Sequence, residues 1–167
     1  ACGVCGKASL EALSDRGLTP IRSELRIPAA TFVALPQRLA KAQRIFASTG
    51  GLHAAALFDG EGTLVTVRED VGRHNALDKL IGWALMNRRL PLHDHVVLFS
   101  GRASYELLQK TIVAGIPVAC SVSAPSSLAV DLARAFGVTL AGFVRSARFN
   151  VYAGSERIVI PEGTPDP

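Results

Sequence analysis

Leu39, Ala42, Ile45 and Phe46 recur at helical spacing and predict an amphipathic helix over Pro36–Ser48, with proline near its first turn and Gly50-Gly51 as its stop. The rhythm then changes. His53–Phe58 and Thr63–Val67 are short apolar runs on either side of Asp59-Gly-Glu-Gly62, which predicts a hairpin. Leu77, Leu80, Ile81, Ala84 and Leu85 predict a helix from about Gly72 to Asn87. His95–Phe99 reads as a buried strand, and Leu107, Leu108, Ile112 and Val113 as a helix ended by Gly115. Pro117–Val122 is a strand, Leu128, Leu132, Ala133 and Phe136 mark a helix ended by Gly137, and Val138–Val144 is a strand with a further one at Arg148–Ala153. The order predicts an α/β fold with helices on both faces of a mixed, mostly parallel sheet after the first hairpin. Residues 1–36 read as an irregular lead-in carrying a cysteine motif, 37–157 as the α/β domain and 158–167 as a proline-rich tail.

Composition narrows the class. Of 167 residues, 49% are hydrophobic and 19% charged, which supports a buried core and excludes a disordered chain. Three cysteines are too few for a disulfide scaffold. Thr111–Val130 is uncharged and long enough for a membrane helix, but Gly115, Pro117, Pro125 and four serines would leave backbone groups unpaired in lipid. Residues 1–20 contain no continuous apolar stretch of a signal peptide. The expectation is a soluble, cytoplasmic protein with reduced thiols and no membrane partner. The net charge is +4, and residues 1–50 hold seven basic and three acidic groups. That bias suits an acidic or phosphorylated ligand and is too weak for nucleic acid. The chain opens Ala1-Cys2 without methionine, so an upstream part is expected to be missing.

The polar residues gather at the expected carboxyl ends of strands, where such sheets bind ligands. Arg68-Glu-Asp-Val-Gly-Arg-His-Asn75 follows the second strand, Ser100-Gly-Arg-Ala-Ser104 the third, and Ser121-Val-Ser-Ala-Pro-Ser-Ser127 the fourth. Each leads into a helix, whose free N–H groups and dipole suit phosphate, with Arg73, Lys79 and Arg102 as candidate charge partners. Serine or asparagine at such turns also caps helices without any ligand. Neither G-x-G-x-x-G nor a P-loop is present. Of the histidines, His93 and His95 flank Asp94 in a solvated turn, whereas His53 and His74 are candidates for catalysis or for structural pairing.

Cys2-Gly-Val-Cys5-Gly carries the sharpest chemistry. Two thiols at this spacing serve thiol–disulfide exchange, half of a zinc site, or carriage of sulfur as a persulfide. A zinc site needs a second ligand pair, and Cys120 stands alone in an apolar strand, so a buried structural role is expected for it and no catalytic zinc. Lys7 nearby favours the thiolate.

Five segments together make the chain resemble the formate dehydrogenase accessory family of sulfur carriers, FdhD. They are Cys2-Gly-Val-Cys5-Gly-Lys-Ala-Ser9, Thr49-Gly-Gly-Leu-His53-Ala-Ala, Arg68 to Lys79, Ser100-Gly-Arg-Ala-Ser-Tyr105 and Ser123-Ala-Pro-Ser-Ser127. The resemblance implies a cytidine-deaminase-like three-layer sandwich. It implies that sulfur is accepted as a persulfide from a cysteine desulfurase. We assign the acceptor role to Cys2 and a supporting or resolving role to Cys5, a choice that the resemblance itself leaves open. The sulfur would pass to the molybdenum or tungsten of a bis-guanine-dinucleotide cofactor, for the catalytic subunit of formate dehydrogenase. It further implies binding of GDP or GTP as mimics, and a homodimer. The pocket expected for the cofactor comprises Gly50, Gly51, His53, Arg73, His74, Asn75, Ser100, Gly101, Arg102 and Ser123. Deaminase chemistry does not carry over, since Ala54-Ala55 follows His53 where the H-x-E glutamate would stand. The competing reading is a guanine-nucleotide-binding regulatory or metal-binding module without sulfur transfer.

Overall fold

The computed structural model describes residues 18–160. Its elements are β1 (Ile27–Pro28), α1 (Ala29–Ala42), α2 (Arg44–Thr49), β2 (His53–Asp59), β3 (Leu64–Asp70), α3 (Arg73–Met86), β4 (His95–Phe99), α4 (Tyr105–Val113), β5 (Val118–Ser121), α5 (Ser127–Ala135), β6 (Thr139–Gly142), β7 (Asn150–Ala153), a 3-10 turn (Ser155–Arg157) and β8 (Ile158–Val159). Six strands form one sheet in the order β3-β2-β4-β5-β6-β7, and β1 pairs with β8 in a separate two-stranded piece.

The predicted hairpin forms. Asp59 turns it, its Oδ1 accepting from the N–H groups of Glu61 at 3.0 Å and Thr63 at 2.7 Å. Gly62 has φ +78°, and a Cβ there would lie 2.6 Å from Thr31 Cγ2, so both backbone and space require glycine.

The sheet is mixed rather than mostly parallel. Only β4-β5 and β5-β6 are parallel, whereas β2 runs antiparallel to both β3 and β4, and β7 antiparallel to β6. The hairpin enters the sheet by its first strand, so β2 must oppose β4. After β6 no helix intervenes to carry the chain back, and β7 returns directly.

Helices cover both faces, as the apolar pattern predicts. On one face α3, α4 and α5 pack Leu77, Leu80, Leu107, Leu108, Leu132 and Ala133 against alternate positions of the strands such as Leu57, Val97 and Leu140. On the other face α1 contributes Phe32, Leu35 and Leu39 against Ala56, Phe58, Val96, Leu98 and Val118. The central strands are buried on both sides, which explains their unbroken apolar runs.

The first helix departs from expectation. It starts at Ala29, and Pro36 lies inside it. Phe32 and Leu35 extend the apolar stripe by more than a turn, and burying them outweighs the hydrogen bond that proline cannot make. The predicted single helix is also divided: Gln43 leaves helical geometry with ψ 77°, and α2 starts afresh at Arg44.

Candidate functional site

β2 runs against its neighbours, so its first residue stands at the sheet end where β3, β4 and β5 finish. His53 is the register partner of Asp70, and Phe99 of Ser121. The Ala54 N–H donates to Ser100 Oγ at 2.7 Å, and the Ser100 N–H returns a bond to the Ala54 carbonyl at 3.0 Å. Gly101 then lies against the His53 ring, where a Cβ would come within 3.2 Å of Nδ1. Gly50, Gly51 and His53 therefore share one sheet end with Ser100, Gly101 and Arg102 after β4, Ser123 after β5, and Arg73, His74 and Asn75 at the start of α3.

A cleft of about 450 Å³ opens at this end between α1, α2 and the strand ends; Gln43, Phe46, Gly50, Gly51, His53 and Ser100 are among its walls. Gly50 has φ +65° and nothing within 4 Å of a would-be Cβ, and Gly51 meets only the Thr49 carbonyl at 3.9 Å. This exposed, side-chain-free backbone lets a ligand approach main-chain groups directly. Arg102, two positions after the wall residue Ser100, is exposed. Arg73 is partly buried, and its Nε is sealed without a hydrogen-bond partner among the described residues.

Much of the charged block after β3 serves as scaffold. Asp70 Oδ1 accepts from the Gly72 N–H at 2.9 Å and from Asn75 Nδ2 at 3.0 Å, while Oδ2 lies 2.5 Å from Lys79 Nζ. These bonds, led by the Lys79 contact, hold the Asp70 carboxyl at about 2, below its ordinary 3.8. Lys79 also donates to the Glu69 carbonyl at 3.1 Å. Its ammonium is thus paired within the chain, not held out for a ligand. The Glu69 carboxylate accepts from the N–H groups of Ile45 at 3.0 Å and Phe46 at 2.8 Å, tying α2 to β3. Arg68 bonds Thr66 Oγ1 and the Val67 carbonyl, and its guanidinium lies 5.6 Å from the Trp83 ring centroid.

His74 joins two helix starts. Its Nε2 is 3.1 Å from Ser104 Oγ and 3.0 Å from Glu106 Oε2. Partial burial pulls the imidazole pKa below 6.5, and Glu106 opposes that without overcoming it. The geometry gives His74 a structural partner while leaving it at the site's edge.

Cys2, Cys5 and Lys7 lie outside the described residues. Cys120 is a buried free thiol in β5, and burial alone pushes its pKa far up, so it is no nucleophile. Among the described residues no cluster of three or more His, Cys, Asp or Glu side chains could hold a metal ion. The structure adds two residues to the site that sequence reasoning missed. Gln43 was hidden inside a helix predicted to be continuous, and the role of Glu69 in positioning α2 had no local signal.

The FdhD/NarQ family model matches residues 1–159. A sulfur carrier protein FdhD of Mycolicibacterium paratuberculosis is 60% identical over 158 residues, covering 94% of this chain and 58% of the relative. One of Streptomyces coelicolor is 57% identical over 161 residues, covering 95% and 57%. The chain thus spans less than three fifths of the length of these relatives. A crystal structure described as a formate dehydrogenase accessory protein from Desulfotalea psychrophila superposes with a TM-score of 0.78 at 32% identity, covering 89% of this chain and 62% of that one.

Proposed function

The chain belongs to the FdhD/NarQ family, and on that premise we propose that it is a sulfur carrier serving formate dehydrogenase. The observation that carries this reading is the match, over nearly all of this chain, to proteins named sulfur carriers, together with a family match over residues 1–159 that includes the Cys2/Cys5 pair. The chemistry suits these thiols. A thiolate, Cys2 in our assignment, attacks the outer sulfur of the desulfurase persulfide. The desulfurase cysteine leaves as thiolate, and Cys2 becomes the persulfide with no net oxidation. For delivery, the Cys5 thiolate attacks the inner sulfur of that persulfide. A Cys2–Cys5 disulfide forms, and the outer sulfur departs as sulfide to the molybdenum or tungsten of the substrate cofactor. The two electrons gained by sulfur come from the two cysteines, and a cellular dithiol must reduce the disulfide before the next cycle.

The bis-guanine-dinucleotide cofactor is the substrate of this step, with GDP or GTP as partial mimics. The sheet-end cleft fits its recognition: open glycine backbone at Gly50-Gly51, His53 and Ser100 at the wall, and the exposed Arg102, two positions after Ser100, for phosphate. In this reading the chain's residues bind and orient the ligand while the cysteine segment brings sulfur. The frame is cytidine-deaminase-like without deaminase chemistry, and the setting is cytoplasmic. The cysteine desulfurase, the formate dehydrogenase catalytic subunit and a second copy of the chain are its partners.

Intact mass spectrometry tests the carrier reading. Incubation of the full-length protein with a cysteine desulfurase and cysteine should add one sulfur, 32 Da by atomic mass, mapped to Cys2 or Cys5. Loading confined to Cys120, or full loading of a Cys2→Ala, Cys5→Ala double variant, would defeat it. Bound zinc with no persulfide would favour the regulatory or metal-binding module.

A further inference from the structure

Gln43 occupies the joint between α1 and α2 and is only 8% exposed. Its backbone is fully used: the N–H donates to the Leu39 carbonyl at 3.1 Å, and its own carbonyl accepts from the Ala47 N–H at 3.1 Å. Its side-chain amide makes no hydrogen bond to another described residue, an uncommon state for a buried polar group. The amide is not sealed inside protein, and the space beside it is the sheet-end cleft that Gln43 helps to line. A carboxamide presents a donor and an acceptor side by side, which matches a ring edge with an adjacent N–H and C=O. The other walls suit the faces of such a ring. Pro36, Leu39 and the partly exposed Phe46 are apolar, and Gly50-Gly51 offers bare backbone. A volume of about 450 Å³ accommodates a base with its sugar.

Resting on the cofactor reading above, we infer that Gln43 is a specificity residue, whose side-chain amide pairs with the lactam edge of the guanine base in this cleft. The charged groups at the other junctions then hold phosphate, and the helix break at Gln43 gains a purpose. It turns a buried side chain toward a ligand at the point where an uninterrupted helix would continue its apolar stripe.

Titration calorimetry and thermal melting of the full-length protein test the assignment, with GDP as probe. Gln43→Leu keeps the bulk and removes the pairing groups. It should weaken GDP binding about tenfold, as loss of a pair of neutral hydrogen bonds does. The unliganded variant should melt at the same temperature or higher, because the side chain makes no hydrogen bond to a described residue that the change would remove. Pyrophosphate, which carries no base, should bind the ligand-free protein with the same affinity before and after the change when titrated directly. Unaltered GDP affinity in Gln43→Leu overturns the inference while leaving the nucleotide reading in place. A melting temperature lowered by several degrees, with GDP and pyrophosphate weakened together, overturns it in favour of a structural amide. A wild-type protein that binds no GDP at millimolar concentration removes both readings at once.

Discussion

His74 shows how one side chain's surroundings reach the stability of the whole domain. Burial lowers its folded pKa, helped by Arg73 and Lys110, against the opposing pull of Glu106 and Asp78. The unfolded chain therefore binds the proton first on acidification. The stability linked to this group is present above about pH 6.5 and is lost as pH falls through the lower folded value. Melting temperature should drop between pH 7.5 and 5.5, and His74→Gln should drop less over the same range. An identical slope in the variant would show that other groups govern the decline. His74 could be picked out in the sequence as a polar residue at a strand-end junction. Its ring contacts could not, since Ser104 and Glu106 are 30 and more positions away.

At the level of elements, α2 is a short helix with no buried residue of its own. Too short to be stable alone, it depends on what grips it. The Glu69 carboxylate is that grip on its first turn. Glu69→Ala leaves two backbone donors to water; as they are exposed, the cost should be about 1 kcal/mol rather than the full value of two charged hydrogen bonds. That corresponds to roughly 2–4 °C in melting temperature for a domain of this size. Amide exchange should quicken at Ile45 and Phe46 before it does in the sheet. Unchanged exchange at those two amides would show that α2 is held by other contacts. The tie is invisible to periodicity because it crosses from a strand end to a helix start 23 or more positions away.

For the whole molecule, the proposed function assigns ligand recognition and sulfur carriage to different parts of the chain, and their effects should then separate. Arg102→Ala removes one exposed charge-assisted contact at the sheet end. It should weaken GDP binding about tenfold, or about 1.4 kcal/mol. Persulfide loading by the desulfurase should stay close to wild type. Cys2→Ala should abolish loading and leave GDP affinity unchanged. Loss of loading in Arg102→Ala with intact affinity would withdraw Arg102 from phosphate recognition. The described residues support this division, because the cleft is set by core packing on both sheet faces, whereas the cysteine pair lies outside them.

The one-dimensional pattern determined the alternation of helices and strands after residue 50, the hairpin at Asp59–Gly62, and the burial of Cys120, because each depends on neighbours two to four positions apart. It also placed the polar junctions at strand ends, and the motif order was enough to identify the family. Only the tertiary structure decided the direction of β2 and β7, the start of α1 before Pro36, the break at Gln43, and the retention of Lys79 by Asp70. Strand direction follows from which neighbour a strand finds. Proline is tolerated once Phe32 and Leu35 have a sheet face to bury against, and Lys79 meets Asp70 because α3 turns back past the end of β3. These outcomes are contacts between distant segments, and local spacing carries no information about them.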